Sequence, residues 1–321
     1  MSNTPKWGFF VLLILSITTL FGWLNATYAL AAGLVLGLTA NGQYQPVSSK
    51  QISKWASLLL KIAIVALGLT LPITELITTA KSSFWLTLAV IGGTLAIGLL
   101  VAKLLKLNQE QSWLISSGTA ICGGSAIAAV GSAINAQQTN MVISLAIVFI
   151  LNALALFVYP IIGHWLELSQ IQFGLWAAIG IHDTSSVVGA ASQYGEQALE
   201  VATTTKLARA LWIIPVALLA TILHSKTHAT NQTKDKFKIA IPWFILLFVM
   251  ASLIGNWIDL GELAPYIKTG AKNLFALSLL WMGASLNKAN IMSISPKALT
   301  LAVILWLTIS LAGLAAIYWF F

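Results

Sequence analysis

Cysteine occurs once, at Cys122, so the chain forms no internal disulfide framework and no cysteine metal cluster. Charge is scarce: 8% of the residues are charged, against about 25% in soluble domains. Arginine occurs once, at Arg209. The chain has no HExxH, no GxSxG, no cluster of metal ligands and no phosphate-binding P-loop, so it reads as a non-enzyme without an ATP-driven pump. Ten-residue alternating strands, the mark of a membrane barrel, are missing too.

What is present is apolar. Hydrophobic residues make up 58% of the 321, more than a soluble fold of this size can bury. Lipid solvates such a surface, provided that the backbone is hydrogen-bonded internally. The runs are about twenty residues long, which selects helices. They fall near 7–24, 27–40, 53–71, 84–102, 112–134, 140–163, 171–193, 199–223, 239–256, 266–287 and 298–320. The expected fold is all-α: a polytopic helical membrane protein of 9 to 11 segments forming a single domain over 1–321. The first run follows Lys6 and is read as a retained span rather than a cleaved signal. Prolines (Pro72, Pro160, Pro242, Pro265, Pro296) and tryptophans such as Trp85, Trp165 and Trp319 crowd the segment ends, as in interfacial belts.

The net charge of +8 comes from lysines scattered over short loops, which is a positive-inside pattern and not a nucleic-acid patch. Lys6, Lys50, Lys54, Lys103, Lys106, Lys226, Lys234, Lys236, Lys238, Lys288 and Lys297 lie in the N-terminus or alternate loops, whereas the opposite loops hold only Lys81 and Lys268. This places the N-terminus in the cytoplasm, the C-terminus outside and the protein in the cytoplasmic membrane. The polar stretch 224–238 is then a plain cytoplasmic loop.

Two segments echo each other: ICGGSAIAAVGSA at 121–133 and IHDTSSVVGAASQ at 181–193. In register, Ile121 meets Ile181 and Ser125 meets Ser185; the wider echo joins 112–163 with 171–223. Gly118, Gly123 and Gly124 interrupt one segment at mid-depth, and His182 to Ser186 interrupt the other. Broken helices at mid-depth line a cavity or pack in protein, and a matching pair points to the site of an inverted-repeat secondary transporter. Two topologies fit the charges. Either both segments cross, giving eleven spans, or both are re-entrant hairpins, giving nine.

Ionisable groups inside spans cost about 3 kcal/mol or more each and are functional candidates. Lys61, Lys206, Arg209 and Lys272 are such cations, and Asp183 is the acid well within a span. Arg209 and Lys206 share a helical face and suit a small anionic substrate; the competing reading has Arg209 paired with Asp183 and Lys206 snorkelling outward. His182 and Asp183 are expected to couple movement to H⁺ or Na⁺, although Asp183 also suits an N-cap to the half-helix that follows. Gly123, Gly124, Ser125, Thr184, Ser185 and Ser186 open the second half-helices, whose free amides suit an anion. The alternative is a cation/proton antiporter working through Asp183. A homodimer is expected from symmetry base rates alone.

The runs SGTAICGGSAIAAV (117–130), GIHDTSSVVGAA (180–191), TTTKLAR (203–209) and ALGLTL (66–71) resemble the YeiH-like membrane proteins, and the resemblance covers essentially the whole chain. It implies export of sulfate or a related oxyanion. At fold level that family is similar to bile-acid symporters, cation/proton antiporters and citrate carriers, with inverted repeats and discontinuous helices.

Overall fold

The structure is a computed structural model that describes residues 7–40, 43–44, 47–71, 73–82, 84–227, 243–258, 260–286, 288, 292 and 294–320. Most of the predicted loop 224–238 lies outside the described residues. The regular structure among the described residues is helical apart from a two-stranded antiparallel ribbon, β1 (Gln43–Tyr44) with β2 (Val47–Ser48). The helices are α1 (Trp7–Leu20), α2 (Ala26–Thr39), α3 (Ser49–Gly68), α4 (Ile73–Ser82), α5 (Phe84–Leu104), α6 (Gln109–Ala120), α7 (Gly124–Ala133), α8 (Gln138–Trp165), α9 (Gln170–Gly180) and α10 (Thr184–Tyr194). They continue with α11 (Glu196–Ala210), α12 (Ile213–Thr227), α13 (Trp243–Trp257), α14 (Leu263–Ser285) and α15 (Pro296–Phe320).

Local sequence explains the boundaries. Side chains of Asn25, Ser48, Asn108, Ser169 and Asp183 accept first-turn amides at the starts of α2, α3, α6, α9 and α10, the favoured N-cap chemistry. Among the described residues, five stretches are long and apolar enough to cross a membrane: 50–68, 84–104, 139–165, 196–223 and 296–319. Trp165, Trp257 and Trp319 are 80%, 87% and 85% exposed, which a soluble protein would not tolerate and an interfacial belt requires.

The structure departs from the expected segments in three places. Pro160 sits inside α8 rather than at an edge. The run 199–223 is bent at Leu211–Trp212, where tighter i→i+3 bonds replace helical ones; Pro215 follows and has no N–H to give Leu211. The helix α4, ten residues long and so too short to span, fills the connection between α3 and α5.

Close packing joins the long helices. α14 lies against α2 and α3, with Gly33 and Gly37 of α2 on the backbone of Leu280, Gly283 and Ala284, a small-residue seam of the kind that draws membrane helices together. α6, α7, α10 and α15 pack on α8, α11 covers α9 and α10, and α12 covers α6 and α7.

Candidate functional site

Both expected helix breaks are present, each three residues long. Ile121–Gly123 separates α6 from α7, and Ile181–Asp183 separates α9 from α10. The first break lies past Gly118, which stays helical because it packs under Ile127. Gly123 takes φ +63°, a backbone conformation that glycine alone adopts freely. In the second segment, Thr184–Ser186 are not part of the interruption but the first turn of α10, because the Asp183 side chain accepts the Ser185 amide at 3.1 Å.

The chain reverses at both breaks. Glu110 Oε2, at the start of α6, accepts the Gln137 amide at 2.9 Å and Asn140 Nδ2 at 2.7 Å, so the mouth of the α6–α7 hairpin sits at the start of α8. Gln170 Oε1, at the start of α9, accepts the Gln197 amide at 3.0 Å. The Tyr194 hydroxyl donates to Leu168 O at 2.6 Å, and its ring stacks on Phe173 and His164. The mouth of the α9–α10 hairpin therefore sits at the far end of α8. Each arm, at 10 to 12 residues, spans about 15–18 Å.

The two tips meet at the middle of α8. Asn152 Oδ1 accepts the His182 and Asp183 amides at 3.0 and 3.2 Å, and Gly123 lies against Val148 and His182. On the opposite side stands α11. Arg209 donates from Nη1 to Ala178 O (2.5 Å) and Ile179 O (2.8 Å), and from Nη2 to Ala120 O (2.5 Å). Lys206 Nζ donates to Ala178 O (3.2 Å) and Ile181 O (2.6 Å). The two cations thus satisfy the terminal carbonyls of both first arms, where the helix dipoles leave partial negative charge. Both are fully buried, so Lys206 does not snorkel, and Arg209 takes carbonyl partners rather than Asp183. Ser185 Oγ hydrogen-bonds Asp183 Oδ2 and approaches Met282 Sδ at 3.5 Å.

Of the sequence-selected residues, Gly123, His182, Asp183, Thr184, Ser185, Ser186, Lys206 and Arg209 come together in the buried centre, and Gly124 is partly buried. Ser125 is exposed. Lys272 is elsewhere, paired with Glu196 at 3.5 Å. Sequence reading missed Asn152; its signal was an amide in the middle of an apolar 28-residue helix. Among the described residues, ten buried side-chain polar atoms have no hydrogen-bond partner, and Asn152 Nδ2, Arg209 Nε and both His182 ring nitrogens at the crossing are four of them. Asn152 and Ser186 face Leu30, Met282 and Gly283 across a cavity of about 20 Å³, room for about one water molecule.

A family model described as Conserved hypothetical protein 698 matches residues 8–302. The chain is 43% identical over 299 residues to a UPF0324 membrane protein of Bacteroides thetaiotaomicron, covering 92% of this chain and 87% of that one. It is 42% identical over 290 residues to a UPF0324 membrane protein of Shewanella oneidensis, covering 89% of each. No solved structure matches the chain.

Proposed function

The chain belongs to the family described as Conserved hypothetical protein 698, the UPF0324 membrane proteins, and from that premise we propose that it is a secondary active transporter of a small anion. Its site is the crossing of the two hairpin tips. The observation that carries this reading is charge. Among the described residues, the buried side chains at the crossing are two cations, Lys206 and Arg209, and one carboxylate, Asp183. With both basic groups protonated and Asp183 ionised, the surplus of one positive charge at mid-membrane depth is expensive alone and is offset when an anion binds.

The cations donate to carbonyls, so they set the local potential while other groups grip the ligand. The first-turn amides of α7, which have no side-chain cap, and the unpartnered Asn152 Nδ2 are the donors for it. Ser186 adds a hydroxyl beside Asn152. A proton taken up by the His182 ring raises the positive charge at the crossing, so proton and anion bind together. The cavity admits about one water, so a polyatomic anion enters when α2 and α14 separate from α8 and α10. In this reading α6–α7 re-enters from the cytoplasm and α9–α10 from outside, which supports nine crossing segments in the cytoplasmic membrane, with the N-terminus inside and alternating access around a fixed midplane site. Sulfate, sulfonates and small carboxylates are the candidate substrates.

The test is counterflow of labelled sulfate, methanesulfonate and acetate into proteoliposomes. Asn152→Asp keeps the Oδ1 acceptor that holds His182 and Asp183 and replaces the Nδ2 donor with an oxygen. We expect uptake of at least one anion by the wild type and a loss of roughly tenfold or more in the variant, the worth of a hydrogen bond to a charged group. Equal uptake by both proteins would overturn the site. No anion uptake by folded wild type, with proton-driven cation exchange instead, would favour antiport through Asp183.

A further inference from the structure

Most glycines in the membrane helices have a neighbour resting on them. An added Cβ would lie 2.1 Å from Leu280 O at Gly33, 1.9 Å from Leu69 O at Gly255 and 2.2 Å from Ser116 Oγ at Gly98. Gly92 and Gly93, in the middle of α5, would meet nothing within 4 Å. A mid-helix glycine destabilises by about 1 kcal/mol relative to alanine. Two in succession, with no close approach inside the chain, leave room for something outside it.

Gly93 lines a groove of about 550 Å³ between α5 and α15. Trp85, Thr94 and Ile97 form one wall; Thr308, Ala312 and Ala316 form the other. From Trp85 to Ile97 the groove runs about 18 Å, close to the ~15 Å of one leaflet's hydrocarbon. One residue further on, Ser116 and Leu305 sit over Gly98 and close it. A helix from a second copy would need a seam along the full membrane thickness; one acyl chain needs half. At the open end, Trp85 also borders a shallow pocket with Ile77, Lys81 and Phe84. Lys81 is exposed, stands in the last turn of amphipathic α4, and has no ion-pair partner among the described residues.

We propose that the α5–α15 groove binds an anionic phospholipid, with one acyl chain over Gly93 and the phosphate at Lys81. The length of the groove selects a single-leaflet amphiphile, and the lysine at its mouth selects negative charge. This site is separate from the hairpin crossing and does not depend on what is transported there.

The experiment titrates phosphatidylglycerol, with phosphatidylcholine as the uncharged-headgroup control, into delipidated protein in detergent and counts bound lipid by native mass spectrometry. Wild type should hold about one phosphatidylglycerol per chain. Gly93→Leu, whose Cβ meets no atom of the chain within 4 Å, and Ala312→Leu on the opposite wall should each lose it without a fall in melting temperature. Lys81→Gln should cut the preference for phosphatidylglycerol over phosphatidylcholine about fivefold. Unchanged lipid counts in both groove variants, or an unchanged preference in Lys81→Gln, would overturn the proposal. So would dissociation of an oligomer by Gly93→Leu with lipid binding intact, because the groove would then be a seam between copies.

Discussion

Glu110 and Gln170, sixty residues apart, close the two hairpins in the same manner: each accepts the backbone N–H of the residue twenty-seven positions further along, Gln137 and Gln197. The offset of sixty is the one that aligns Ile121 with Ile181. The same offset therefore recurs at the mouths of the two hairpins, which stand at opposite ends of α8.

The two latches differ in charge, and the difference predicts which substitutions matter. Glu110→Gln should be close to neutral, because the amide oxygen does the same work at Gln170. Glu110→Ala and Gln170→Ala should each cost about 1 kcal/mol, the usual worth of a helix N-cap. Thermal unfolding in detergent measures both. Equal losses for Glu110→Gln and Glu110→Ala would mean that the carboxylate charge, not the acceptor geometry, holds the mouth.

Arg209 ties the ends of α6 and α9 to α11 through three carbonyls. Arg209→Met leaves the Ile179 and Ala120 carbonyls buried without this donor, at about 1–3 kcal/mol each, while Lys206 still donates to Ala178 O. The variant should be severely destabilised, with poor yield and early melting. Arg209→Lys should recover part of that stability but not all, since an ammonium cannot span both hairpins as the planar fork does.

Glycine contacts along α2 and α14 make opposite predictions. At Gly33 an added methyl would collide with the Leu280 carbonyl, so Gly33→Ala should destabilise by about 1–3 kcal/mol. At Gly270 an added methyl meets nothing, so Gly270→Ala should stabilise by about 0.4–1 kcal/mol. Melting temperatures of the two variants should move in opposite directions.

Lys268 bridges Glu200 at 2.8 Å and Glu196 at 3.6 Å, joining α14 to α11. These groups are partly exposed, so Lys268→Met should change stability by less than about 1 kcal/mol. If transport separates α14 from α11, the same variant should raise the counterflow rate. A wild-type rate in Lys268→Met would show that this end of the interface does not limit opening.

Composition and run length were enough to identify a helical membrane protein, because no other solvent accommodates so much apolar surface with so little charge. The glycine run at 123–124 and the polar run at 182–186 announced the two breaks, since both residue types interrupt an apolar helix for reasons local to the backbone. Asn152 was overlooked because a lone amide in a long apolar run has no neighbours in sequence that reveal its partners; His182 and Asp183 are thirty residues away. The roles of Lys206 and Arg209 were hidden for the same reason. Sequence places two cations at mid-depth, but not the carbonyl ends of two other helices beside them.

Sequence alone determined what depends on local chemistry: helix rather than barrel, the apolar stretches, and the residues at which two helices break. Tertiary structure decided what depends on meeting at a distance: that both broken segments fold back, that their tips converge on the centre of α8, and that Arg209 and Lys206 serve backbone carbonyls. The physical reason is reach. A break is written in a few adjacent residues, whereas the partners that satisfy its exposed amides and carbonyls are supplied by helices that only the fold brings together.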